Sequence, residues 1–297
     1  MNKLLLIDGN AIMHRAYHAY PPLTNSKGEY VSIVYGFFTM LFLVLAEQKP
    51  EYLAVCFDRP KPTFRQTLYA GYHAHREELP DDFVPQIGLL HTLLETMGVQ
   101  IFEVDGYEAD DLLGTISVKA KEKGVETVIV TGDRDLLQLV NDKVKVLMPI
   151  TGITKTVLFD EAAVEEKYGV KASQVVDYKA LIGDASDGYP GVTGIGPKTA
   201  AKLLQEYGTF ENLYMRVGEL PEKIGLKLAT DAEQAALAKQ LATIITDSPI
   251  QFDLKLCACS LFDIKSLRRE FTEHGFNSLL KRLDEMYGKE QEQLGLL

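Results

Sequence analysis

The chain has 297 residues, room for one large domain or two modest ones, and 46% of it is apolar, so a sizeable core is available. A net charge of −11 excludes a nonspecific polycation, although acids that hold metal ions lower the total without repelling phosphate. Three cysteines, Cys56, Cys257 and Cys259, offer no disulfide framework and fit a reducing compartment. Cys257 and Cys259 lack a second pair of zinc ligands and read as packing in a strand-like run.

In chain order, KLLLID (Lys3 to Asp8) reads as a buried strand. Its apolar run is too short for a signal peptide and ends at Asp8, so the expected location is the cytoplasm. VSIVYGFFTMLFLVLA (Val31 to Ala46) is shorter than a membrane span and contains Ser32, Gly36 and Thr39, which predicts a buried core helix and no membrane contact. Further strands are predicted at Tyr52 to Asp58, Val99 to Val104 and Val125 to Val130, with VKVLMP near 144–149 as an edge strand. Helical patterns fill 31–48, 82–98 and 108–123 between them, which predicts an α/β fold with a parallel sheet covered on both faces. From about 160 the signals are helical, at 160–168, 173–182, 197–207, 231–246 and 263–287. A boundary near 170 separates the α/β part, 1–170, from a helical part, 171–297, with the two packed as one body.

Acids follow the predicted strands. Asp8 and Asp58 end the first two; Glu108, Asp110 and Asp111 follow the third; Asp133 and Asp135 follow the fourth. The carboxyl ends of parallel strands share one edge, where open α/β sheets place their sites. Singly, Asp8 and Asp133 read as helix caps and Glu108 and Asp110 as helix-dipole partners. Together they would repel, and divalent cations are the usual remedy. Asp184 and Asp187, in LIGDASDGYP, are candidates to complete the ring. An all-oxygen set suits Mg²⁺ or Mn²⁺, and its size suits two ions, the arrangement that serves phosphoryl hydrolysis.

Arg59 to Arg76 contains no acid. It carries Arg59, Lys61, Arg65, His73, His75 and Arg76 among Phe64, Tyr69 and Tyr72. A helix from Phe64 would put Arg65, Tyr69, Tyr72 and Arg76 on one face, suited to single-stranded nucleic acid; a solvated charged helix is the plainer alternative. In YPGVTGIGPKTAAKLL, Gly191, Gly194 and Gly196 permit a tight hairpin that opens a helix at Pro197, with Lys198 and Lys202 behind it. Such a hairpin offers backbone amides to a duplex phosphate, or is simply a helix–turn–helix corner.

Five stretches in order, LLLIDGNAIMHRAYHA, VCFDRPKPTFR, GYEADDLLGT, VTGDRDLLQLV and LIGDASDGYPGVTGIGPKTAAKLL, resemble the 5′-nuclease domain of bacterial DNA polymerase I and its relatives, the flap endonucleases and phage 5′-exonucleases. The resemblance implies a PIN-like or resolvase-like parallel-sheet core with a basic arch at about 59–82, and a helix-hairpin-helix element at about 189–208. It implies one metal site from Asp8, Asp58, Glu108, Asp110 and Asp111, and a second from Asp133, Asp135, Asp184 and Asp187, with some sharing. It implies Arg15, Arg65 and Arg76 on the scissile phosphate, Arg59, Lys61 and His73 on DNA in the arch, and K⁺ on hairpin carbonyls. The implied activity is structure-specific 5′→3′ exonuclease and flap endonuclease cleavage of DNA in replication and repair. The same resemblance points to a monomer acting on flaps, nicks or RNA primers in RNA–DNA hybrids, with a DNA polymerase as partner. A non-catalytic junction-binding module and an α/β phosphatase are the rivals; the phosphatase lacks a second Asp at Asn10.

Two positions depart from the family pattern: His73 replaces a Lys and Gly188 an Asn. A largely neutral His weakens phosphate grip, and Gly loosens the turn.

Overall fold

Alternation along a strand decides which layer each side chain enters. In β1 (Lys3–Asp8), Leu5 and Ile7 face one side of the sheet and Leu4 and Leu6 the other, and all four are buried. The computed structural model describes residues 2–75, 78–152 and 154–294, with side chains described as far as Gly288.

The sheet adds β2 (Tyr52–Cys56), β3 (Gln100–Phe102), β4 (Glu126–Val130), β5 (Val144–Thr151) and β6 (Lys155–Phe159), in the order β3-β2-β1-β4-β5-β6. The first five are parallel, and β6 runs antiparallel to β5. The expected edge strand, β5, is therefore covered. β6 was not expected: KTVLF leaves Val157 and Leu158 exposed, so it lacks the continuous apolar run of a buried strand. Register sets Asp8 opposite Cys56 and Ile7 opposite Val130, so β1, β2 and β4 end on one line.

One face carries α1 (Gly9–Ala19), α2 (Ser32–Gln48) and, beyond the short α3 (Phe64–Leu68), α4 (Val84–Met97). The apolar run of α2 is indeed core: Phe38 and Phe42 meet Phe271 with ring centroids 5.1 and 6.2 Å apart. No helix among the described residues is long and apolar enough to cross a membrane. The other face carries α5 (Ala109–Glu122) and α6 (Glu161–Tyr168), with Leu112, Leu113, Ile116 and Val164 against Leu4, Leu6 and Ile129.

After α7 (Val175–Ile182), a two-stranded ribbon, β7 (Gly183–Asp184) and β8 (Tyr189–Pro190), leads into α8 (Pro197–Tyr207). With α9 (Phe210–Met215), α10 (Glu222–Thr230) and α11 (Ala232–Ala242) these helices enclose a separate small core around Leu181, Leu204, Leu213 and Leu228. α12 (Ile264–Glu273) and α13 (Asn277–Leu294) instead bring Leu267, Phe271, Leu279 and Leu283 back to the α2 face of the sheet. The single helix expected over 263–287 is broken at Gly275, whose φ of +70° is left-handed. Cys257 and Cys259 lie in 3₁₀ turns, not a strand; burial pushes both thiols up to about 12.

Candidate metal centre

The edge where β1, β2 and β4 end is lined by carboxylates. Asp8 closes β1 and caps α1: Oδ1 accepts from the Ala11 amide at 3.0 Å and Oδ2 from the Thr131 hydroxyl at 2.6 Å. The capping reading of Asp8 therefore applies, at the same sheet edge where the other acids lie. Asp58, two residues past β2, accepts the Ala109 amide at 2.7 Å on Oδ1, and its own amide donates to Asn10 Oδ1 at 2.9 Å. Asp133 Oδ1 accepts the Asp135 amide at 2.8 Å.

Burial pushes the Asp8 carboxyl up to about 7, and the charges of Asp58 and Asp133 push the same way. Asp110, in the first turn of α5, is driven well above the carboxylate range by burial, then by Asp133, Asp8, Glu108 and Asp58. Burial also raises Glu108, against the pull of Arg65 and Thr63. Five acids from four connections are thus close enough for their charges to be felt at Asp8, Asp110 and Glu108.

A second cluster adjoins it. Asp135, Asp184 and Asp187 each offer a ligand atom, all within 4.8 Å of one another. Burial works to raise Asp184, but Lys179 and the Ser186 donors together hold it below the usual carboxylate range. Lys179, only 8% exposed, sits 2.5 Å from Asp184 Oδ2 and also pairs with Asp135. Sequence reasoning passed over Lys179; its one signal is a lysine inside the apolar run VVDYKALI, five residues before Asp184. A cavity of about 380 Å³ opens beside this cluster, lined by Asp133, Asp135, Lys179 and Asp184, with Tyr168 and Tyr178 on its wall. Tyr72 and Tyr189 stack 6.4 Å apart between the clusters. Tyr72 is pushed up by burial and then by Glu108 and Asp187, and Tyr189 by burial and then by Asp184, Asp187 and Asp133.

Three expectations fail. Arg65 is 2% exposed and all five of its N–H groups are used: Nε donates to Leu241 O at 2.9 Å, Nη1 to Glu108 Oε2 and Asp111 Oδ2, and Nη2 to Asp111 Oδ1 and Thr243 O. It has no donor left for a phosphate. Asp111, 0% exposed, accepts that fork and also the amides of Glu108 and Ile245, so it is not open to a metal ion. The helix from Phe64 stops at Leu68, because the chain must turn back: His73 takes a left-handed φ of +56° and its amide donates to Asp187 O at 2.9 Å. Arg65, Tyr69 and Tyr72 therefore share no exposed face.

The other arch positions are placed as follows. His73 Nε2 lies 3.0 Å from Asp187 Oδ1. Arg59 and Lys61 are exposed and pair with Asp105 at 3.2 and 2.5 Å. Arg15 donates to Gly152 O at 2.6 Å from the face of α1 two turns beyond Asp8. Arg76 lies outside the described residues. Gly188 is required rather than merely loose: its φ is +80°, and a Cβ there would stand 2.7 Å from Gly71 O. Both departures from the family pattern thus meet at one contact between the arch and the β7–β8 turn.

The hairpin before α8 forms as expected, with Gly194 at φ +73° and Pro197 opening the helix. Lys198 and Lys202 are exposed along α8.

The family description "5′-3′ exonuclease, N-terminal resolvase-like domain" matches residues 3–169, and "5′-3′ exonuclease, C-terminal SAM fold" matches 170–265. DNA polymerase I of Bacillus caldotenax is 40% identical over 98% of this chain and 33% of its own length. DNA polymerase I of Deinococcus radiodurans is 42% identical over 97% of this chain and 30% of its own. A bacteriophage T5 flap endonuclease, solved as a pseudo-enzyme–product complex with DNA and metal ions, matches with a TM-score of 0.70 at 19% identity, over 96% of this chain and 98% of that one. The catalytic core of Rad2 in complex with DNA substrate matches at 0.56 and 18% identity, over 96% and 92%. A mainly parallel sheet with acids at its carboxyl edge and a helical annex is the resolvase-like nuclease fold. The chain belongs to the 5′-3′ exonuclease family, and its activity class is that of a 5′-nuclease. It spans about a third of the length of the curated relatives it matches.

Proposed function

We propose that the chain hydrolyses DNA phosphodiesters at junctions between a 5′ single strand and duplex, with Mg²⁺ or Mn²⁺ bound at two positions. The observation that carries this reading is the crowding of Asp8, Asp110 and Glu108, each raised by burial and by neighbouring carboxylates, beside a second trio, Asp135, Asp184 and Asp187, in an all-oxygen set. Asp8, Asp58, Glu108 and Asp110 would hold one ion and Asp135, Asp184 and Asp187 the other, with Asp133 between them. When bound, such ions supply charge stabilisation and activation of the attacking water. The chain's own part is to hold the carboxylates still: Thr131 and the Ala11 amide orient Asp8, the Ala109 amide orients Asp58, and Ser186 orients Asp184.

In this reading residues 1–170 form the catalytic core and 171–297 the region that holds duplex. Gly194 and Gly196 are exposed and offer backbone to a phosphate, Gly191 shapes the turn from a buried position, and Lys198 and Lys202 neutralise neighbouring phosphates. Arg15, Arg59, Lys61, His73 and Arg76 remain the candidates for the single strand. Flaps, nicks and RNA primers are all candidate substrates. A DNA polymerase is the proposed partner, since the relatives bear that name. A monomer working in the cytoplasm completes the proposal.

The test is cleavage of a duplex carrying a labelled 5′ flap, with Mg²⁺ and with chelator. The expected result is metal-dependent release of the flap, lost in Asp184→Asn without loss of fold. Tight junction binding with no cleavage under any metal would instead identify a non-catalytic binder.

A further inference from the structure

The cation expected on the hairpin carbonyls does not fit the hairpin as built. Of the six carbonyls from Gly191 to Gly196, four already accept. Val192 O takes the Ile195 amide, Gly196 O takes the Thr199 and Ala200 amides, Gly191 O takes Gln234 Nε2, and Gly194 O takes Lys227 Nζ at 2.7 Å. The last is an ammonium, so K⁺ brought to the same oxygen would meet a like charge. The seat is shaped for it: a Cβ on Gly194 would stand 2.5 Å from Lys227 Nζ and 3.2 Å from its Cε. The lysine is part of a strap. Lys227, Asp231 and Gln234, from the last turn of α10 to the first turn of α11, each bind one hairpin backbone group; Asp231 Oδ2 accepts the Thr193 amide at 2.7 Å.

We propose that Lys227 is a built-in counter-cation of the hairpin, seated on the Gly194 carbonyl, and that it makes the hairpin's grip on duplex phosphate independent of potassium. The proposal rests on reading the hairpin as a duplex-binding element. Asp231 and Gln234 fix the loop's shape, and Lys227 supplies both shape and the positive charge that a bound monovalent ion would otherwise bring. Lys227 is thus a positioning residue for DNA.

The test is anisotropy of a short labelled blunt duplex with full-length protein in EDTA, in potassium, sodium or tetramethylammonium chloride at equal ionic strength. Wild-type affinity should agree within about twofold across the three salts, because generic screening is equal in them. Lys227→Met should bind about fivefold more weakly in tetramethylammonium and recover in potassium, whereas Lys227→Arg should keep the wild-type indifference. A purely structural lysine would weaken binding equally in every salt, which would overturn the assignment. Wild-type binding that needs potassium would overturn it too, and that measurement stands even if Lys227→Met fails to fold. No duplex binding by wild type in any salt would defeat the reading of the hairpin itself, a result distinct from potassium-dependent binding.

Discussion

Lys179 Nζ lies 2.5 Å from Asp184 Oδ2 and pairs with Asp135 as well, which puts a cation inside the second carboxylate cluster without any metal. Both partners are largely buried, and removing one member of such a pair typically costs about 3 kcal/mol because the other charge is left uncompensated. Lys179→Met should therefore melt on the order of 5 °C lower than wild type in EDTA. Mn²⁺ should restore part of that loss, since the ion replaces the missing charge. Thermal unfolding with and without Mn²⁺ measures this; an equal deficit in both would show that the ammonium does not share the cluster with metal.

Arg65 and Asp111 give a different expectation from the one their sequence positions suggest. The guanidinium ties α3 and α5 to the carbonyls of Leu241 and Thr243, so it joins three distant segments. Arg65→Lys keeps the charge but cannot satisfy five acceptors. It should lower stability in urea by about 3 kcal/mol while leaving the salt dependence of DNA binding unchanged. A flatter salt slope with wild-type stability would return Arg65 to the phosphate.

These two residues show where the sequence was readable. Asp8, Asp58, Glu108 and Asp133 could be placed because each follows a run that reads as a strand, and parallel strands put such residues on one edge by geometry alone, whereas Asp184 and Asp187 follow a helix. The partner of each acid could not be placed. Asp111 is closed by Arg65 and by the Ile245 amide, and neither is near it in the chain. The helical signal over 263–287 said nothing of the return of Leu267, Phe271, Leu279 and Leu283 to the α2 face. The helix from Phe64 forms but ends at Leu68, and the left-handed His73 beside Asp187 that turns the chain back leaves no local signal.

Asp8 carries a pH prediction. Its folded carboxyl is raised to about 7 by burial and like charges, whereas an unfolded Asp titrates near 3.8. The folded state keeps a proton that the unfolded chain has released, so the stabilisation is complete below about pH 4 and is lost as pH rises toward 7. Metal-free protein should lose on the order of 4 kcal/mol across that window, and Asp110 acts in the same direction. Melting in EDTA at successive pH values should show a falling curve that flattens in Asp8→Asn. An unchanged slope in that variant would mean that Asp8 is not the group responsible.

Gly188 and Gly88 make a matched pair of substitutions. Gly188→Ala must adopt a φ of +80° and bring a Cβ within 2.7 Å of the Gly71 carbonyl, so a loss of about 2 kcal/mol is expected. Gly88→Ala, in the middle of α4 with no atom within 4 Å of the new Cβ, should gain about 0.5–1 kcal/mol. Urea midpoints separate the two. A neutral Gly188→Ala would show that the arch moves away from the β7–β8 turn at little cost.

The exposed lysines of α8 test how the helical part meets DNA. Lys198 and Lys202 lie one turn apart directly behind the glycine hairpin, where phosphates of a bound duplex would run. Each phosphate neutralised releases counterions and steepens the salt dependence by about 0.9 in log–log slope. Changing both to Ala should therefore flatten the slope by about 1.8 and weaken binding alike for duplexes of unrelated sequence. Loss of affinity for only one sequence would point to base contacts, which a backbone-gripping hairpin does not make. An unaltered slope would move the duplex to another face of the helical part, away from Gly191 to Gly196.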